Sequence, residues 1–283
     1  MREARRVWTV EEFLRKVSSI REEWVAEEGD LPEWLPWFRG EANARWATRL
    51  KPRLYRREAA RTKRHTRRLL YADQEIRLGF LRSAAQLVSG RALDKWERYF
   101  LMQAYGAPTR LLDWTDGALP ALYFAVGSRG RDGDTAGDAD AAVYVLDPWM
   151  LNQKTFSRGR RPQSEGVALS EWQQAARYLP DEFDSERLRP KIPLAIDPVH
   201  LAGRMAAQRA HFTIFGRDLD GLVSCSTRGR VCLVKIPIAS AAIPKIQEQL
   251  KLAGITASTL FPDMEGLGRE LSYLWDELVR RIH

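Results

Sequence analysis

Cysteine is scarce in this chain: 283 residues hold two, Cys225 and Cys232. One disulfide is arithmetically open to them, but a disulfide framework is excluded. Cys232 lies in an apolar alternating run and reads as a small core residue. Histidine is nearly as rare. His65, His200, His211 and His283 have no zinc-type spacing to other ligands, so no metal is expected. Long apolar runs are missing. The longest, around Ala118 to Val126, falls far short of the roughly 20 residues a membrane helix needs. The basic opening MREARRVWTVEEF leads into no apolar signal stretch. A cytoplasmic protein with no membrane partner is the expectation. No GxxxxGK(S/T) loop and no GxSxG elbow occurs, which excludes the P-loop phosphate cradle and the α/β-hydrolase nucleophile. There is also no internal repeat and no clear linker.

What the chain has in quantity is positive charge and tryptophan. The net charge is +8 and ten Trp are present, and the pI is about 9.6. Such a balance favours an anionic partner such as nucleic acid, a nucleotide or a membrane surface. Residues 49–68 carry ten basic side chains against one acid, Glu58. Arg53, Arg57, Arg61, Arg64 and Arg68 recur at steps of three and four, which on a helix makes one positive stripe. Like charges repel along such a stripe, so binding of an anion or nucleic acid explains it better than stability does.

Thr9 and Glu12 form a capping box before a helix over 9–28, with Val10, Phe13, Leu14, Val17 and Ile20 on one face. Gly29 ends it. A second helix is expected over 73–87 with Ile76, Phe80 and Leu87 inward. Residues 127–140 form a Gly/Asp connector, AAVYVLDP a strand stopped at Asp147-Pro148, and VCLVKIPI another strand. A strand is also expected at His211–Phe215. A helix around Ile243, Ile246 and Leu250 ends at Gly254. The last helix carries Met264, Leu267, Leu271, Leu274 and Leu278 at helical spacing. Strands and helices mix without βαβ alternation. The pattern predicts α+β: a single compact domain, a mixed sheet with surrounding helices.

QAYGAPTRLLDWTDGALPALYFAV, residues 103–126, sets polar groups against a smooth apolar run. Arg110 and Asp113 must be desolvated beside ALYFA, which points to a site. Asp113 can orient a ribose hydroxyl or act as a base. Trp114 is either a stacking platform or core. In Phe38-Arg39-Gly40 the Arg can grip a phosphate, with Gly40 admitting a ligand to the backbone, or it can clasp Asp113. Gln208 and His211 are further candidates, with structural roles as their alternatives.

Taken together, Phe38-Arg39-Gly40, QAYGAPTRLLDWT (103–115), ALYFA (121–125), Gln208 to Phe212 and LFPDMEG (260–266) resemble the FRG-domain family in order and type. The long motif departs from the family's pattern at Ala104, where His is usual, and near Gln208, where Gly is usual. The resemblance implies residues 1–30 as a helix packed on an FRG domain at 31–283, in bacterial or phage-linked proteins tied to toxin or defence roles. Arg39, then Thr109 with Ala121 to Phe124, then Gln208 also arrive in the order of ADP-ribosyltransferases. By that analogy the fold is ADP-ribosyltransferase-like and NAD is the substrate. Arg39, Asp113 and Gln208 are then catalytic. Gly40, Thr109, Arg110, Trp114, Tyr123 and His211 bind ligand, and one pocket gathers Arg39, Arg110, Asp113 and Gln208. The alternatives are a nucleic-acid-binding module or nuclease using the 49–68 stripe, and a regulatory protein that binds a protein partner.

Overall fold

β-branched and small apolar residues alternate through AAVYVL and LVKIPI, and both segments become central strands. Ala141–Leu146 is buried along its whole length, which requires a layer on each side of the sheet. A computed structural model describes residues 1–28, 35–46, 50–56, 63–84, 93–129, 135–156, 168–169, 173–180, 190–198, 203–226 and 231–282. Eight strands form one sheet in the order β1-β8-β4-β2-β3-β7-β6-β5. They are β1 (Arg2–Glu3), β2 (Trp37–Glu41), β3 (Leu111–Thr115), β4 (Ala141–Leu146), β5 (Ala168–Leu169), β6 (Leu194–Asp197), β7 (Ala210–Ile214) and β8 (Leu233–Ile238). β1–β8 and β5–β6 run parallel and the other neighbours antiparallel. The α+β class and mixed sheet agree with the sequence.

Helices cover both faces. On the Phe38 face, α1 (Val10–Glu28), α4 (Ala118–Val126) and α9 (Ile243–Leu252) pack over Val143, Val145 and Ile236. On the same face of the other half, α3 (Lys95–Ala104) sets Tyr99, Phe100 and Met102 against Leu111, Phe212 and Ile214. The opposite face holds α2 (Lys63–Ala84), α5 (Pro148–Phe156) and α8 (Gly221–Ser226) against Trp37, Trp114 and Tyr144. Short helices α6 (Gln173–Ala176), α7 (Gly203–Ala207) and α10 (Ala257–Leu260) and the long α11 (Met264–Ile282) complete the chain.

Local signals read from the sequence operate here. Thr9 Oγ1 accepts from Glu12 N at 3.1 Å, and Glu12 reaches back to Trp8 N at 2.8 Å. Pro148, expected only to stop a strand, starts α5, where a missing N–H costs nothing. Asp147 accepts from Met150 N at 2.8 Å to cap it. One expectation fails. Arg53 sits in a 3-10 turn, Arg53–Tyr55, separate from α2, so it is not on one continuous helix with Arg64 and Arg68. Pro52 precedes that turn in extended conformation. Arg57 and Arg61, Gly29 and Leu87 lie outside the described residues.

The sheet is almost two sheets. β2 pairs with β4 at five positions and β3 with β7 at five. Among the described residues one pair, Phe38 opposite Thr115, joins β2 to β3. Beyond it, among the described residues, 39–41 of β2 pair with β4 and 111–114 of β3 pair with β7, but not with each other.

Candidate functional site

Where the β2–β3 ladder ends, a side chain joins the two strands. Phe38 lies opposite Thr115, so Thr115, Asp113 and Leu111 share its face, while Arg39 and Glu41 point to the other. Arg39 is 12% exposed. Its Nε donates to Glu41 Oε1 at 2.8 Å and its Nη2 lies 2.7 Å from the same oxygen. Nη1 crosses the split and donates to Asp113 O at 2.9 Å. The same nitrogen is 3.8 Å from the Asp113 carboxylate. Arg39 is therefore a clasp between β2 and β3, with Glu41 as its main charge partner.

Asp113 is the exposed group of the site, 54% of its side chain being open to water. Gln103, in the last turn of α3, donates from Nε2 to both carboxylate oxygens at 2.9 Å. Gln103 Oε1 accepts from Thr109 Oγ1, and Thr109 Oγ1 accepts from Leu111 N at 3.1 Å. The buried Thr109 thus fixes which way the Gln103 amide points, and that amide holds the Asp113 carboxylate. A cleft of about 160 Å³ opens above it, lined by Arg53, Arg56, Gln103, Gly106, Ala107, Leu111, Leu112 and Asp113. Arg53 donates to Gly106 O, which ties the 3-10 turn to the loop after α3. Arg56 donates from Nε to Lys51 O at 3.0 Å and is exposed at the rim. Partial desolvation and the nearby Arg39 cation lower its pKa against the pull of Glu41 and Asp113. Arg53 and Arg56 together bring two cations to the lining of the cleft.

Other predicted residues lie elsewhere. Arg110 is fully buried and points away from the cleft. It donates from Nε to Asp73 Oδ2 at 2.7 Å, from Nη1 to Phe215 O at 2.8 Å and from Nη2 to Tyr178 O. Tyr99 OH donates to Asp73 Oδ1 at 2.7 Å and accepts from Arg110 N at 2.9 Å. Burial opposes the Arg110 charge, but Asp73 and the surrounding tyrosines outweigh it and raise the pKa. Gly40 does not receive ligand. A Cβ there would sit 2.0 Å from Ala121 O and 2.5 Å from Ala125 N, so its bare Cα lets the α4 backbone close onto β2. Trp114 is core, with Nε1 donating to Thr213 Oγ1 at 3.1 Å. Tyr123 packs on α4 with its ring edge to Phe124, 6.1 Å between centroids. Gln208 donates to Leu260 O at 3.2 Å, two residues before β7 and outside the cleft lining. The expected single pocket therefore keeps Asp113, with Arg39 beside it, and loses Arg110 and Gln208. Local sequence reading missed Glu41, Gln103 and Arg56. Gln103 opens the long motif, which was the one available signal.

His211 belongs to a second cluster at the other end of β3. Its ring stacks on Trp37 at 4.6 Å between centroids. Nδ1 bonds the Asp197 carboxylate, and Nε2 is 3.6 Å from Asp116 Oδ2. Arg209 donates to Asp116 Oδ2 at 2.9 Å. Burial works against the imidazolium, yet Asp116 and Asp197 raise its pKa to about 9. An unfolded His titrates near 6.5. The extra stability is therefore complete below pH 6.5 and is lost as pH rises to about 9. At about 1.4 kcal/mol per pKa unit it amounts to about 3 kcal/mol. Urea midpoints measured from pH 6 to 10 should fall more steeply for wild type than for His211→Asn. Parallel curves would remove the ion cluster as a stabilising element.

Among the described residues no three His, Cys, Asp or Glu side chains group to hold a metal ion, and no helix is long and apolar enough to cross a membrane. Residues 35–133 match the family model of the FRG domain. That segment, about a third of the chain, is what resembles the FRG domain. The match spans the Arg39 clasp, Gln103, Thr109, Asp113 and α4. It stops short of His211 and of Leu260 to Gly266, which the sequence resemblance had included. No curated protein and no solved structure matches the chain.

Proposed function

We propose that the cleft at the β2–β3 split is the nucleotide site of an enzyme that transfers ADP-ribose from NAD. The observation that carries this reading is the oriented, exposed Asp113 carboxylate in one cleft with the guanidinium groups of Arg53 and Arg56. The cations suit a phosphate and the carboxylate suits a sugar hydroxyl or an acceptor proton. A cleft of about 160 Å³ takes a phosphate–ribose portion, so the rest of the dinucleotide would follow the open split outward. In the reaction the C1′–N bond breaks and its electron pair leaves with nicotinamide. An acceptor nucleophile bonds to C1′ and gives its proton to Asp113. Phosphate binding falls to Arg56 and Arg53, because Arg39 is committed to Glu41 and Asp113 O. A toxin or defence role, as the family resemblance implies, fits transfer of ADP-ribose to a cellular target.

A nucleic-acid reading is favoured by one separate observation. A cavity of about 410 Å³, remote from the family motifs, is lined by Arg5, Arg6, Arg15, Lys16 and the half-exposed Trp8. Cations around an exposed aromatic ring suit a single strand. Titration of ADP-ribose and of a short oligonucleotide into wild type, Arg56→Gln and Trp8→Ala separates the two. ADP-ribose affinity should drop roughly 10- to 100-fold in Arg56→Gln, the loss of a charge-assisted bond, and stay unchanged in Trp8→Ala. Wild type that ignores both ADP-ribose and NAD while binding the oligonucleotide through Trp8 would overturn the transferase reading.

A further inference from the structure

The final helix is built inside out. Along α11 the side turned to the body carries buried Gly266 and half-buried Glu270 and Tyr273. Glu270 Oε2 accepts from Thr256 Oγ1 at 2.9 Å and Ser258 N at 2.8 Å, so a charged residue anchors the helix through α10. A Cβ on Gly266 would lie 1.9 Å from Phe261 O, so close seating at that end requires glycine. The outward side is apolar. Met264 is 82% exposed, Leu267 45%, Leu271 56%, Leu274 48%, Trp275 64% and Leu278 45%. An amphipathic helix ordinarily buries that stripe.

We infer that α11 is a dimerisation helix whose occupant is α11 of a second copy of this chain, packed antiparallel. Three observations select that occupant. Positions 264, 267, 271, 274 and 278 keep the alternating three- and four-residue steps of a helix–helix seam. Leu267, Leu271, Leu274 and Leu278 are spaced four, three, four, which reads the same in both directions. Reversing a second copy therefore sets Leu267 on Leu278 and Leu271 on Leu274, a self-complementary two-fold contact. It also opposes the two helix dipoles. Finally, the six side chains leave on the order of 600 Å² of apolar surface in water, at the upper end of what a monomer carries and near the ~800 Å² per partner of a standard interface. The body-facing side, with Glu270 already engaged, is free of this contact.

Sedimentation equilibrium of the full chain and of Leu271→Glu/Leu274→Glu tests this directly. Wild type should run at twice the 32.5 kDa chain mass and the variant at the single mass, with unchanged far-ultraviolet circular dichroism, since both positions are exposed. Wild type at the single mass across micromolar concentrations overturns the proposal whatever the variant does. So does a wild-type dimer that the folded variant retains, because the contact then lies elsewhere. Monomeric wild type that co-sediments with phosphatidylcholine vesicles would assign the stripe to a lipid surface instead. None of these outcomes depends on NAD or nucleic-acid binding.

Discussion

Arg110→Ala should lower the unfolding free energy by about 3–5 kcal/mol, the cost of leaving a buried charge without its partner. Arg110 and Asp73 are 0% and 1% exposed. Removing the guanidinium leaves the Asp73 carboxylate without its charge partner, and it frees the carbonyls of Tyr178 and Phe215 that Arg110 satisfies. The network also fixes topology. It ties α2 to the start of β3, to the end of β7 and to Tyr178 after α6. Because a buried pair is worth little against a well-packed apolar replacement, Arg110→Met/Asp73→Leu should recover much of the loss. Urea unfolding of the three variants measures both effects. A cost under about 1 kcal/mol for Arg110→Ala would contradict a full desolvation of this pair.

Asp113→Asn should reduce nicotinamide release from NAD by roughly 10²- to 10⁴-fold, the usual worth of a positioned acid or base. Stability should change little. The side chain is 54% exposed, and an Asn oxygen can still accept from Gln103. Gln103→Leu tests positioning separately. It removes the bond that orients both Asp113 oxygens and leaves Thr109 without its acceptor. A smaller loss is expected there, with a changed pH profile and an intact melting transition. Unaltered turnover in a folded Asp113→Asn protein would remove Asp113 from the chemistry.

Several elements and their local grammar were legible in the sequence. Capping at Thr9 and the strands AAVYVL and LVKIPI each follow from signals within a dozen residues, so they could be read one window at a time. The family motif marked a segment in which Gln103, Thr109 and Asp113 meet. What each polar residue does there was not local. Arg110 and Asp113 stand three positions apart in one strand and its approach. A polar residue inside an apolar motif has the same sequence signature whether it faces a ligand or a buried partner. Tertiary structure assigned Arg110 to Asp73, 37 positions earlier, and left Asp113 in water. The split between β2 and β3 was equally hidden, since strand pairing is a property of two distant segments. Periodicity gave α11 an apolar face but could not give it a direction. The side that seats on the body is set by the close approach at Gly266 and the bonds to Glu270, which turn the leucines outward.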